Sequence, residues 1–274
     1  MHQFSFQKLL FGDSIWHRVG QSLLFVYVCF ALIIFVLADS MIFLPQPASY
    51  KDAKDIIKLP IAKTDRISAT YLPNPQAKYT LLYIHGNAED LGYVRPQLDR
   101  LHSWGFSVFA YDYRGYGTSS GKPSETNAYE DANAAYTYLT QQLKIPADRI
   151  IVYGRSVGGG SATELASKNT VAGLILESTF TSAFRVVVPF PLLPFDKFSN
   201  LDKISKVRAP VLIMHGKSDE VIPFDHGRSL YEAAPQPKMS LWVANAGHNN
   251  FTDVAGTRHQ QALLSFQQLL ETRK

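Results

Sequence analysis

The sequence predicts an α/β fold: a mostly parallel central sheet with helices on both faces and a short lid segment. Three observations carry this. Continuous apolar runs recur along the chain: TLLYIH (80–85), SVFAY (107–111), RIIVY (149–153), GLIL (173–176) and PVLIMH (210–215), with Leu241–Val243 as a shorter last one. Runs of that length suit strands buried on both faces. Stretches with helical spacing fall between them, and strand–helix alternation calls for helices on both sides of a sheet. Right-handed crossovers then set every loop that leaves a strand along one edge, where sites are built.

Composition agrees. Of 274 residues, 46% are apolar and 18% charged, enough to bury a large core. The net charge of +4 comes from Lys and Arg scattered among Asp and Glu. With no basic run and no nucleic-acid motif, no nucleic-acid partner is expected. Cys29 is the single cysteine, which excludes an intrachain disulfide and a cysteine-based zinc site. No metal is expected.

Residues 1–40 stand apart as an N-terminal tail and transmembrane anchor. From Ser22 to Ala38 no residue is charged; at about 1.5 Å per residue this stretch is near the shortest that crosses a bilayer. Arg18 precedes it, Asp39 follows it, and Trp16 sits where an interfacial anchor would. The competing reading is a signal peptide, with Lys8 and Arg18 as its positive part and Val36-Leu37-Ala38 as a cleavage site. The long lead before Gly20 favours the uncleaved anchor. Arg18 then sets the N-terminus on the cytoplasmic side and residues 41–274 on the other, although Lys51, Lys54 and Lys58 blunt the asymmetry. Cleavage would instead give a secreted or periplasmic protein.

Residues 41–274 read as one catalytic domain. In 128–139, Tyr129, Ala132, Tyr136 and Leu139 share one helix face, as do Leu263, Phe266 and Leu270 near the C-terminus. Another helix begins just after Ser156 and continues through Ser161–Ser167. The segment at about 180–207 breaks the rhythm. Pro189, Pro191 and Pro194 exclude a long helix there. Two readings stay open: a loop packed on the core, or a lid whose aromatics (Phe184, Phe190, Phe195, Phe198) line an apolar pocket.

The strongest local signal is Gly154-Arg155-Ser156-Val157-Gly158, G-x-S-x-G between an apolar strand and a helix. A strand that turns this sharply into a helix forces Ser156 into a strained backbone and lifts its hydroxyl clear of the sheet. A serine hydroxyl needs a base, and the base needs an acid. His248, in Ala246-Gly247-His248-Asn249-Asn250 after the last strand, is the base candidate. Asp219, in the turn after PVLIMH, is the acid candidate. The order Ser156, Asp219, His248 is the expected one. Glu177 and Asp225 remain alternative acids, while Glu220 should project differently. His215 is a poorer base, and His85 reads as a structural loop residue. His2, His17, His102, His226 and His259 fall in tails or on helix faces, where surface histidines are common. The oxyanion donors are the backbone N–H groups of Val157 and of Asn87 in the loop after TLLYIH. Asp112-Tyr113-Arg114-Gly115-Tyr116-Gly117 lacks the third glycine of a dinucleotide loop, so no cofactor is implied. Asp112 and Arg114 are expected to hold that loop together by ion pairing.

Together HGN (85–87), DYRGYGTSSG (112–121), GRSVGG (154–159), HGKSDEVIP (215–223) and AGHNN (246–250) resemble the α/β-hydrolase fold, and within it the BEM46-like serine hydrolases. The similarity runs from about Met41 to the C-terminus. It implies Ser156 as nucleophile, Asp219 as acid, His248 as base, and a short lid rather than a large cap. The expected activity is cleavage of an ester or thioester through an acyl-enzyme, on a small-molecule or lipid-like acyl substrate. A peptidase or amidase on the same scaffold, and a non-catalytic membrane-anchored binding protein, are the alternatives.

Overall fold

A computed structural model describes residues 15–61 and 64–272. It divides the chain into two compact units, one ending at Met41 and the other beginning at Ile42. The sequence readings on His2 and Lys8 lie outside the described residues.

The described residues of the first unit lie in one helix, α1 (Ile15–Ile42), of 28 residues. At 1.5 Å per residue it is about 42 Å long, because helical backbone continues past Arg18 and Asp39 on either side of the uncharged stretch. Leu23, Phe25 and Val36 are all more than half exposed, unlike a core helix. The helix is long and apolar enough to cross a membrane, a property that signal sequences share.

In the second unit eight strands form one sheet: β1 (Ile56–Pro60), β2 (Arg66–Leu72), β3 (Thr80–Ile84), β4 (Ser107–Tyr111), β5 (Ile150–Arg155), β6 (Gly173–Glu177), β7 (Val211–Gly216) and β8 (Lys238–Val243). Their order is β1-β2-β4-β3-β5-β6-β7-β8. The β1–β2 and β2–β4 pairs are antiparallel; the other five are parallel. Alternation along each apolar strand feeds two cores. Leu82, Val152 and Leu176 pack on one face, and Leu81, Ile151 and Ile175 on the other. Each such side chain contributes about 1.5–3 kcal/mol by leaving water.

The helices cover both faces. α2 (Leu91–Ser103) starts at Asp90, whose carboxylate accepts from Tyr93 N–H. α3 (Glu125–Thr137) starts at Ser124 in the same way. α4 (Gly158–Lys168) follows Ser156 and Val157. α5 (Asn200–Ile204), α6 (Phe224–Ala233), α7 (Phe251–Ala255) and α8 (Thr257–Glu271) complete the unit. The sequence reading missed β1, β2, α2 and α6. β1 carries Lys58 and Pro60, and α2 carries Gly92 and Pro96, so apolar continuity and helix propensity are weak there.

The lid segment is mostly irregular, with a 3-10 turn at Phe184–Val186 and the short α5. Its phenylalanines divide: Phe184 and Phe195 pair edge to face at 5.9 Å between centroids. Phe198 is fully buried, with its ring against Phe43, Tyr129 and Phe180, whereas Phe190 is 58% exposed. The segment is therefore part core plug and part open apolar surface.

Candidate active site

Parallel strands β3, β5, β6, β7 and β8 all end on one edge of the sheet, and the loops that leave them carry the predicted residues. β3 and β5 are neighbours in register, Ile84 opposite Gly154. The His85-Gly86-Asn87 loop therefore leaves the sheet beside the Ser156 turn. β7 and β8 pair Gly216 with Val243, which brings the Asp219 and His248 loops together.

The chain has only Ser156 and Val157 in which to pass from β5 to α4. Ser156 adopts φ +52°, the left-handed region that costs a non-glycine residue about 1–3 kcal/mol. Hydrogen bonds hold the turn: Ser156 N–H donates to Glu177 O at 2.9 Å, and Thr179 Oγ1 donates to Ser156 O at 2.6 Å. Close approach also fixes the motif glycines. A Cβ on Gly154 would lie 2.6 Å from Gly158 O, and one on Gly158 would lie 2.2 Å from Ile84 O.

Ser156, Asp219 and His248 meet at hydrogen-bonding distance and are nearly buried. His248 Nε2 is 3.0 Å from Ser156 Oγ, and His248 Nδ1 is 2.9 Å from Asp219 Oδ2. Asp219 is an acceptor, so Nδ1 carries the proton and Nε2 is left to accept from the serine hydroxyl. Burial works against ionisation of Asp219. Hydrogen bonds from His215, His248 and the Ile222 N–H outweigh it and hold the carboxyl well below the usual range.

The other candidates fall elsewhere. His215 is fully buried, with Nε2 2.9 Å from Ile222 O, so it supports the acid loop. His85 is buried with Nδ1 2.8 Å from its neighbour Gly86 O. Glu220 accepts from the His248 N–H at 3.3 Å, steering the loop rather than the imidazole. Asp225 pairs with Arg228. Glu177 is buried and bonded to Tyr153 and Arg155. His259 is a correction: it is fully buried, with Nε2 3.0 Å from Tyr153 Oη. Asp112 and Arg114 hold their loop through separate partners. Arg114 Nε donates to Asp131 at 2.7 Å, and Asp112 accepts from Leu91 N–H at 2.8 Å.

The backbone N–H groups of Val157 and Asn87 make no hydrogen bond with the described residues. Val157 stands at the N-terminus of α4, which adds positive potential. The Asn87 side chain is committed elsewhere, its Nδ2 donating to Ile42 O at 2.7 Å.

One group was missed in the sequence. Arg155, inside the serine motif, pairs with Glu89 and lies 3.5 Å from Glu177. It also donates through Nη2 to the His248 carbonyl at 3.2 Å. Glu89 in turn accepts from Gly86 N–H at 2.7 Å. Burial opposes the charge on Arg155, but Glu89 and Glu177 outweigh it. The available signal was an arginine at the end of an apolar strand, with a glutamate two residues beyond HGN.

A cavity of about 630 Å³ lies between the 180–207 segment and the start of α6, lined by Arg185, Val186, Pro189, Asp196, Leu201 and His226 among others, with none of Ser156, Asp219 and His248 in its lining. No phenylalanine lines it, so the pocket is mixed rather than an aromatic apolar one. Among the described residues no group of three or more His, Cys, Asp or Glu side chains is placed to hold a metal ion.

Comparison with known proteins agrees with this architecture. A family model described as serine aminopeptidase, S33, matches residues 75–197. Alpha/beta hydrolase domain-containing protein 17B of Xenopus tropicalis and that of Homo sapiens are each 44% identical over 204 residues, covering 73% of this chain and 71% of theirs. The esterase Pf2001 of Pyrococcus furiosus superposes with a TM-score of 0.68 at 20% identity, covering 81% of this chain and 98% of that one, a likeness of fold. These matches carry the α/β-hydrolase assignment, not the narrower BEM46-like one.

Proposed function

This chain belongs to the alpha/beta hydrolase domain-containing protein family, and we propose that it is a serine hydrolase that cleaves an ester or thioester through an acyl-enzyme on Ser156. The observation that carries the proposal is the continuous hydrogen-bonded line from Asp219 through His248 to Ser156 Oγ.

Ser156 Oγ attacks the carbonyl carbon while its proton passes to His248 Nε2. The carbonyl electron pair moves onto oxygen, where the N–H groups of Val157 and Asn87 receive it. Asp219 holds Nδ1–H and stabilises the imidazolium. As the tetrahedral species collapses, the bond to the leaving alkoxide or thiolate breaks, and His248 gives it the proton. Water then attacks the acyl-serine with His248 as base. The second collapse releases the carboxylic acid and restores Ser156. This route calls on no cofactor.

The acyl group we favour is apolar and lipid-derived. Val187 and Phe190 on the lid are 82% and 58% exposed, and the cavity beside them has the volume of a small-molecule site. The apolar helix α1 supports attachment to a membrane as a single-pass anchor. Arg18 before its uncharged stretch favours the hydrolase unit on the non-cytoplasmic side. A p-nitrophenyl ester series from acetyl to long acyl chains tests the substrate reading. Rising kcat/KM with chain length supports it, and preference for acetyl over every longer chain counts against it. A second reading, peptidase or amidase, draws on the serine aminopeptidase description of the matching model. Matched ester and amide substrates separate the two.

A further inference from the structure

We propose that Ile42–Leu44, together with Tyr116, is a positioning element for the oxyanion loop. This rests on the serine-hydrolase reading, with the Asn87 N–H as one oxyanion donor.

Asn87 spends its whole side chain on holding its own backbone. Nδ2 donates to Ile42 O at 2.7 Å. Oδ1 accepts from Leu44 N–H at 2.9 Å, Tyr116 Oη at 2.6 Å and Ala88 N–H at 2.9 Å. The donors and acceptors admit one orientation of the amide, because Ile42 O cannot donate and Leu44 N–H cannot accept. Such a side chain cannot also turn toward substrate, which leaves the backbone N–H for that task.

The backbone it holds is strained. Ala88, the next residue, has φ +56°, a region that L residues rarely adopt. A strained turn persists only where its surroundings over-determine it, and here the determination comes from residues 42–50. Phe43 is 2% exposed, its ring centroid 6.0 Å from that of Tyr113, 6.3 Å from Tyr116 and 5.9 Å from Phe198. Leu44 N–H is shared between Asn87 Oδ1 and Tyr116 Oη, the latter at 3.0 Å. Seven residues after Ile42, Ser49 N–H donates to Asp90 Oδ2 at 2.6 Å. The strap thus grips both ends of the turn that presents the Asn87 N–H, at Asn87 and at Asp90. Phe43 is the peg that keeps it in place.

The test uses the full-length chain in detergent, with Tyr116→Phe, Phe43→Ala and Ser156→Ala compared with the parent. Four quantities are read: kcat and KM on p-nitrophenyl butyrate, Ki for an alkyl trifluoromethyl ketone that adds to the serine as a tetrahedral mimic, and the melting temperature. Tyr116→Phe removes one hydroxyl at the junction and keeps the ring, so it tests the strap even where Phe43→Ala melts early. The expected result in Tyr116→Phe is a kcat lower by about ten-fold, a Ki weaker by a similar factor and KM within about two-fold, since a donor out of place is felt only when charge develops on oxygen. Unchanged kcat and Ki in Tyr116→Phe, or a change confined to melting temperature, overturns the proposal. With Ser156→Ala inactive in the same assay, that outcome removes the strap's role and leaves the hydrolase reading standing. A fully active Ser156→Ala overturns both.

Discussion

Arg155 Nη2 donates to the backbone carbonyl of His248 at 3.2 Å, so the residue before the nucleophile also holds the loop of the base. Through Glu89 the same guanidinium reaches Gly86 N–H, next to Asn87. Three loops that must agree in position are fastened to one side chain that is 14% exposed.

Removing that side chain strands two carboxylates. Glu89 and Glu177 are 11% and 2% exposed. Arg155→Met is expected to cost about 3–5 kcal/mol in chemical denaturation, the penalty for breaking a buried pair. Arg155→Met combined with Glu89→Gln should recover part of that loss. Loosening of the three loops should lower kcat by about ten- to a hundred-fold in Arg155→Met. Additive stability losses in the double variant would show that the pair is not coupled.

Asp219 and Glu177 compete on paper as the acid, and kinetics separates them. Asp219→Asn should lower kcat by roughly a thousand-fold or more, because an amide leaves the imidazole in the wrong tautomer. Glu177→Gln acts through Arg155, Tyr153 and His259, so its kcat should stay within about ten-fold of the parent. Equal losses would return Glu177 to candidacy.

Gly158 faces the end of β3 with no room for a methyl group. Its Cβ would meet Ile84 O at 2.2 Å and His85 O at 2.7 Å, both backbone atoms. Gly158→Ala is expected to destabilise by about 1–3 kcal/mol, as overpacking does, and to shift the elbow that carries Ser156. Paired melting and kcat measurements check it.

His259 sets an acid limit on stability. Burial holds its pKa below 6.5, with Glu177 opposing the shift and Arg100 adding to it. The folded protein keeps this imidazole neutral where the unfolded chain already takes up a proton. Stability present above pH 6.5 is therefore lost as pH falls through the depressed folded pKa, by at most about 1.4 kcal/mol per pH unit for one proton. His259→Gln, which does not titrate, should flatten the dependence of unfolding free energy on pH below 6.5. An unaltered slope would remove His259 as the cause.

The sequence made the parallel part of the sheet legible because β3 to β7 are apolar on both faces. That also made the loop edge legible, and with it the order of Ser156, Asp219 and His248. The antiparallel β1 and β2 were hidden because they mix polar with apolar residues at the sheet margin. What distance along the chain concealed was the scaffolding of the site. Nothing in local pattern ties Arg155 to His248, 93 residues on, or Leu44 to Asn87, 43 residues on. His259 lies one turn before Leu263 on the face shared with Phe266 and Leu270, but a polar ring does not announce burial, and Tyr153, its partner, lies 106 residues away. The lid phenylalanines misled for a related reason. Composition marks a segment as apolar without saying which rings turn into the core, as Phe198 does.

Everything here turns on Ser156 as a covalent nucleophile. Intact-mass spectrometry of the folded, full-length protein after exposure to a fluorophosphonate measures this directly. One adduct per chain, mapped to Ser156 by peptide sequencing and absent from Ser156→Ala, is the predicted result. An unmodified parent chain, or an equal adduct on Ser156→Ala, would contradict it.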